Sequence, residues 1–130
     1  MCICCRRECG YTYRGPVYAA ERLNGHLCPW CIADGSAADR FDARFTGGTG
    51  LGEDVPHEVL EAVDRRTPGF AAWQEPQWFF HCGDGAAFLG LAGAAELSAH
   101  PDALEMLRRE TTGWGWQVDQ VEDHLGSLDK

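Results

Sequence analysis

The chain has 130 residues and a mass of 14.3 kDa, with 45% hydrophobic and 11% aromatic side chains, enough for one domain to bury its own core. Twenty acidic against eleven basic residues give a formal net charge of −9 and a pI near 4.8, which argues against a nucleic-acid partner. No apolar run reaches the roughly 18–20 residues of a membrane span, and the N-terminus opens on cysteines instead of a signal-peptide core, so a cytoplasmic chain is expected.

Six of the seven cysteines lie in the first 31 residues. Secreted disulfide scaffolds are usually shorter, carry an even number of cysteines and follow a signal peptide. Clustered thiols in a reducing cytosol instead point to metal ligation or redox chemistry.

Within the cysteine-rich segment, Tyr11–Tyr13 and Val17–Tyr18 have strand character, broken by Gly15-Pro16. Asn24-Gly25 predicts a hairpin turn, with the chain returning through His26 and Leu27 to a second cysteine pair. Ala33, Ala37, Ala38, Phe41 and Phe45 recur at helical spacing and predict one helix from about Cys31 to Arg44. The glycine-rich stretch Thr46–Gly52 reads as a flexible loop that divides a zinc-finger-like segment, 1–46, from a mostly helical segment, 53–130, within one compact domain.

Beyond that loop, Val59, Leu60 and Val63 form an apolar stripe after Pro56, ended by Thr67-Pro68-Gly69. Gln77–Cys82 reads as a buried strand. A helix is expected from His100-Pro101-Asp102 to about Thr112, carrying Leu104 and Leu107, and a last amphipathic helix carries Val118, Val121, Leu125 and Leu128. Trp73, Trp78, Trp114, Trp116, Phe70, Phe79, Phe80 and Phe88 are expected to form a compact aromatic core. Glu58, Glu61, Asp64, Glu105, Asp119, Glu122 and Asp123 are spaced as solvated helix faces, and His57, His100 and His124 as surface residues.

Cys2 and Cys5 are separated by two residues, as are Cys28 and Cys31, with 22 residues between the pairs. Each pair can wrap a tight knuckle around one ion, and two knuckles complete the tetrahedral four-thiolate shell of structural Zn2+. A second pair placed after a hairpin and at a helix start predicts a treble-clef-like finger, and the helix dipole favours thiolates at Cys28 and Cys31. Cys4 and Cys9 are alternative ligands beside the first knuckle. His26, next to the second, is expected to face solvent.

Two other chemistries stay open at this point. Cys28-Pro29-Trp30-Cys31 resembles a glutaredoxin-type site, which would make the chain a thiol–disulfide oxidoreductase. His81, Cys82 and Asp84 are catalytic candidates, although adjacent residues on a strand point to opposite faces unless the strand ends there. The plainer expectation is a buried Cys82 on a core strand, with Asp84 capping a helix that starts near Ala86.

The chain resembles the CbrC-like family of uncharacterised bacterial proteins, named after a colicin-tolerance protein. The resemblance rests on Cys2-Ile-Cys4-Cys5, Gly10-Tyr-Thr-Tyr13, Gly15-Pro-Val-Tyr18, Leu27-Cys-Pro-Trp-Cys-Ile-Ala-Asp-Gly35, Arg66-Thr-Pro-Gly-Phe70, and His81-Cys-Gly-Asp84 with Ala87-Phe-Leu-Gly90. It implies zinc ligation by Cys2, Cys5, Cys28 and Cys31, and implies no established activity. It also implies a segment before the first cysteines and a later strand with another Cys-x-x-Cys, whose loss would leave a sheet edge open to self-association.

The expectation is therefore an α+β fold, a treble-clef-like zinc finger packed on a mostly helical, aromatic-rich remainder. Its expected function is structural, a zinc module that mediates interaction with another protein, and the acidic surface suits a basic partner.

Overall fold

A computed structural model describes residues 1–47, 50–52, 55–72 and 76–129. The chain divides into two compact units, Met1–Phe88 and Leu89–Lys130. Among the described residues the fold is helical with one small sheet and a cysteine cluster near the N-terminus.

The first unit reverses direction where Asn24-Gly25 predicts. Gly25 adopts φ +75°, and the His26 N–H donates to the Leu23 carbonyl at 3.0 Å. The arms of this reversal are irregular and not the expected strands. They are tied by the Tyr13 N–H to the Leu27 carbonyl at 2.8 Å, and by the Ile3 N–H to the His26 carbonyl at 2.9 Å. Tyr18 pairs instead with Arg44, in an antiparallel bridge.

The helix expected over 31–44 is two short helices, α1 (Pro29–Ala33) and α2 (Ser36–Phe41). Pro29 suits a first turn, where its missing N–H would have no partner in any case. Gly35, at φ +86°, breaks the run, and Asp34 Oδ1 accepts the Ser36 N–H at 2.9 Å to start the second helix. The apolar residues still find the core. Leu23, Leu27, Ile32, Ala37, Ala38 and Phe45 are buried together with the cysteines.

Helix α3 (His57–Arg66) turns Val63 and Asp64 inward, so the expectation of Asp64 on a solvated face is corrected. Strand β1 (Gly50–Gly52) occupies part of the stretch expected to be a loop; Gly48 and Thr49 lie outside the described residues. β1 pairs in parallel with β2 (Trp78–His81), Leu51 opposite Phe79, and β2 pairs antiparallel with β3 (Asp84–Gly85). Trp78 and Phe80 point into a core shared with Val63 and flanked by Val59 and Phe70, while Phe79 is half exposed; β2 is half-buried, not fully buried. Phe70 stacks on Phe88 with ring centroids 4.3 Å apart.

The second unit holds α4 (Ala94–Leu97), α5 (Pro101–Gly113) and α6 (Val118–Gly126). Val121 and Leu125 are buried, but Val118 is exposed. Arg108 on α5 grips both carboxylate oxygens of Glu122 on α6, Nε to Oε1 at 2.6 Å and Nη2 to Oε2 at 3.3 Å. Trp114 is 65% exposed and Trp116 37%, so these two do not join the compact aromatic core expected of them. Trp73, expected in the same core, lies outside the described residues. Among the described residues, no helix is long and apolar enough to cross a membrane.

Candidate metal centre

The first knuckle is a tight loop. The Arg6 N–H donates to the Cys2 carbonyl at 2.8 Å, the Cys2 N–H donates to the Arg7 carbonyl at 3.0 Å, and Arg6 takes φ +57° to permit it. The second knuckle begins at Cys28, immediately before α1, and ends at Cys31 within it. The Ile3–His26 backbone bond holds the two against each other.

The result brings Cys2, Cys5, Cys28 and Cys31 together, with all four Sγ atoms within 4.8 Å of one another and Cys2 Sγ 3.9 Å from Cys31 Sγ. A tetrahedral ion with metal–sulfur bonds of about 2.3 Å requires sulfurs about 3.8 Å apart, so the donor set and its spacing fit a soft or borderline divalent ion. Cys2, Cys28 and Cys31 are buried and Cys5 is half-buried. These four cysteines are positioned to bind a metal ion.

The electrostatics of the four thiols are unequal. Burial opposes ionisation of Cys2, but backbone N–H groups of Cys5, Cys28 and Cys4 outweigh it and lower its pKa to about 6. Burial, and then the neighbouring thiols of Cys28, Cys5 and Cys4, push Cys31 well above the ordinary thiol range, against the pull of Ser36. Four like-charged sulfurs this close need a cation to be ionised together, which is the condition a bound metal satisfies.

Cys4 and Cys9 sit beside this group but outside it. The Cys4 thiol points to Ser36 Oγ at 3.6 Å, and the Ser36 hydroxyl donates to the Cys31 carbonyl at 3.3 Å. Arg40 Nη1 donates to the Cys4 carbonyl at 2.7 Å. Ser36 and Arg40 thus brace the knuckles from α2, a role the sequence does not signal because neither residue lies in a cysteine motif. Cys9 Sγ is 3.7 Å from Cys5 Sγ, and desolvation followed by the Cys5 and Cys28 thiols raises its pKa to about 12. His26 is exposed.

His81, Cys82 and Asp84 lie elsewhere in the first unit. β2 stops at His81, Cys82 adopts φ +54° and Gly83 φ +72°, and this turn brings Cys82 Sγ within 2.8 Å of His81 Nδ1. Both side chains are exposed, which corrects the expectation of a buried Cys82. Asp84 caps no helix, because the chain after Ala86 is extended or irregular up to α4. Its Oδ1 accepts the Gly85 N–H at 2.8 Å. His57, His100 and His124 are exposed, His124 lying edge-on to Trp116 at 5.1 Å.

The chain is 52% identical over 130 residues to a UPF0167 protein of Mycobacterium bovis and, to the same extent, to one of Mycobacterium tuberculosis; each match covers 99% of this chain and 70% of the relative. It is 44% identical over 102 residues to a UPF0167 protein of Pseudomonas aeruginosa, covering 74% of this chain and 55% of that one. No solved structure matches it. The CbrC-like assignment drawn from the motifs is corrected by a family match that runs over residues 1–130: the chain belongs to the uncharacterised protein family UPF0167.

Proposed function

We propose that Cys2, Cys5, Cys28 and Cys31 hold one Zn2+ in a structural, treble-clef-type centre, and that the resulting module serves to bind another protein in the cytoplasm. The observation that carries this reading is the convergence of four thiols, from two knuckles, within 4.8 Å. Bound zinc would supply folding free energy and would neutralise the clustered thiolates; it needs no open coordination position for that. Burial of Cys28 and Cys31, at 1% and 4% exposure, favours this over thiol–disulfide exchange, which needs an accessible attacking sulfur.

Support for the interaction role comes from the surface around the knuckles. Tyr11 and Trp30 are exposed and meet edge-to-face with centroids 5.9 Å apart, between and beside the ligand pairs. An aromatic pair on a chain of net charge −9 suits a partner that presents basic side chains.

Protein purified without chelator tests the centre through zinc content and thiol counting. The expected result is about one zinc per chain with the four cluster thiols protected from alkylation. Absence of zinc, or zinc present with those four thiols freely alkylated, overturns it.

A further inference from the structure

We propose that the His81–Cys82 turn is a thiol-modification site, at which Cys82 forms a mixed disulfide with a small, cationic disulfide while the His81 imidazole takes the thiol proton.

Of the seven cysteines, Cys82 is the one set apart from the N-terminal cluster, and it lies exposed at the tip of the β2–β3 hairpin. On a continuous strand His81 and Cys82 would point to opposite faces. They meet because the chain enters a two-residue turn with positive φ at both Cys82 and Gly83, +54° and +72°. Such turns ordinarily place asparagine, aspartate or glycine first. A cysteine at that position brings a thiol within 2.8 Å of Nδ1 of the adjacent imidazole, the arrangement in which a base can accept a thiol proton as the sulfur attacks.

The surroundings select the co-reactant. Asp84 stands opposite His81 in the hairpin register, its carboxylate is exposed, and the chain is strongly acidic. An anionic disulfide is repelled there and a cationic one is drawn in. An open hairpin tip also admits a flexible disulfide from solvent, which suits a stoichiometric modification better than turnover in an enclosed site.

The step balances without a further oxidant. The Cys82 S–H proton passes to His81 Nδ1, and the sulfur lone pair attacks one sulfur of the disulfide. The Cys82–sulfur bond forms as the original S–S bond breaks, and the departing thiolate takes the proton back from the imidazolium. Cys82 is oxidised to the mixed disulfide and half of the small disulfide is reduced to a thiol.

The test treats the full chain, as purified with its metal, with limiting cystamine at neutral pH. Peptide mass mapping follows the adduct over time and zinc content is read on the same samples. A cysteamine adduct is expected on Cys82, His81→Ala to slow that addition about tenfold or more, and Cys82→Ser to abolish it. Equal rates of addition at Cys82 in wild type and His81→Ala, or no addition at Cys82, overturns the proposal. Because the readout is the rate at Cys82 itself, it stands or falls independently of whether the cysteine cluster holds zinc.

Discussion

The backbone N–H of Cys28 donates to Cys2 Sγ across 3.3 Å, so the second knuckle supports a sulfur of the first before any metal is considered. Each knuckle depends on the other, and a bound ion would lock both. Cys28→Ser is therefore expected to abolish zinc retention and to unfold the N-terminal part of the first unit, since the free energy of structural zinc binding, about 10–16 kcal/mol in small finger peptides, is folding free energy. Cys4→Ser removes a thiol that contacts Ser36 and is expected to keep the zinc with at most about a 10- to 100-fold loss of affinity. Zinc stoichiometry and competition with a chromogenic chelator separate the two outcomes.

Tyr13 is buried, edge-on to Phe45, and its hydroxyl proton is shared between the carbonyls of Pro16 at 2.9 Å and Gly69 at 3.0 Å. Tyr13→Phe leaves both carbonyls short of that donor and should cost about 1–2 kcal/mol in urea unfolding. Burial raises the Tyr13 pKa from 10.0 to about 12, against the pull of the Gly69 contact. The folded state therefore favours the protonated phenol. This stability is fully present below pH 10 and is lost as pH rises from 10 to about 12, where the unfolded chain ionises first. The wild-type loss over that window should be visibly smaller in Tyr13→Phe.

Local patterns were legible in the sequence where the structure depends on local spacing. Cys2/Cys5 and Cys28/Cys31 announce their knuckles because two intervening residues fix the loop, and Asn24-Gly25 announces its turn through positive φ at Gly25. What lay hidden depends on contacts distant in sequence. β1 is a strand of Gly50-Leu51-Gly52 only because Trp78–Phe80 pair with it, and glycines carry no strand propensity of their own. The break between α1 and α2 is hidden in the sequence because the apolar period continues through Gly35 while its backbone turns left-handed. Asp64 carries the spacing of an exposed residue yet is drawn in by Thr46 and Arg44, neither of which is near it in the chain.

Asp64 accepts the Thr46 hydroxyl at 3.3 Å and faces Arg44 Nη1 at 3.4 Å. Desolvation raises its pKa above 3.8, outweighing Arg44, Thr46 and Arg65, all of which favour the carboxylate. With the folded pKa above the unfolded one, the contribution of Asp64 is fully present below pH 3.8 and diminishes as pH rises through the folded value. Asp64→Asn keeps an acceptor for Thr46 and removes that titration. Relative to wild type, the variant should gain stability as pH rises from 3.8 through the raised folded-state pKa, a trend that thermal melts at increasing pH would reveal; a difference independent of pH would contradict it.

Gly83, at φ +72°, has nothing within 4 Å of where a Cβ would stand, so any cost of adding one there is purely a backbone cost. Gly83→Ala is expected to lose about 1 kcal/mol for that reason. Cys82, at φ +54°, already bears the corresponding cost, roughly 1–2 kcal/mol for an L-residue in the left-handed region. Cys82→Gly relieves it while adding about 0.4–1 kcal/mol of unfolded-state entropy, which leaves a net gain of up to about 1.6 kcal/mol. Urea unfolding of the two variants should therefore shift in opposite directions from wild type. A Cys82→Gly chain less stable than its parent would mean that the side-chain interactions of Cys82, the 2.8 Å thiol–imidazole contact among them, outweigh the backbone cost. The hairpin would then be held in part by the Cys82 side chain and not merely carry it.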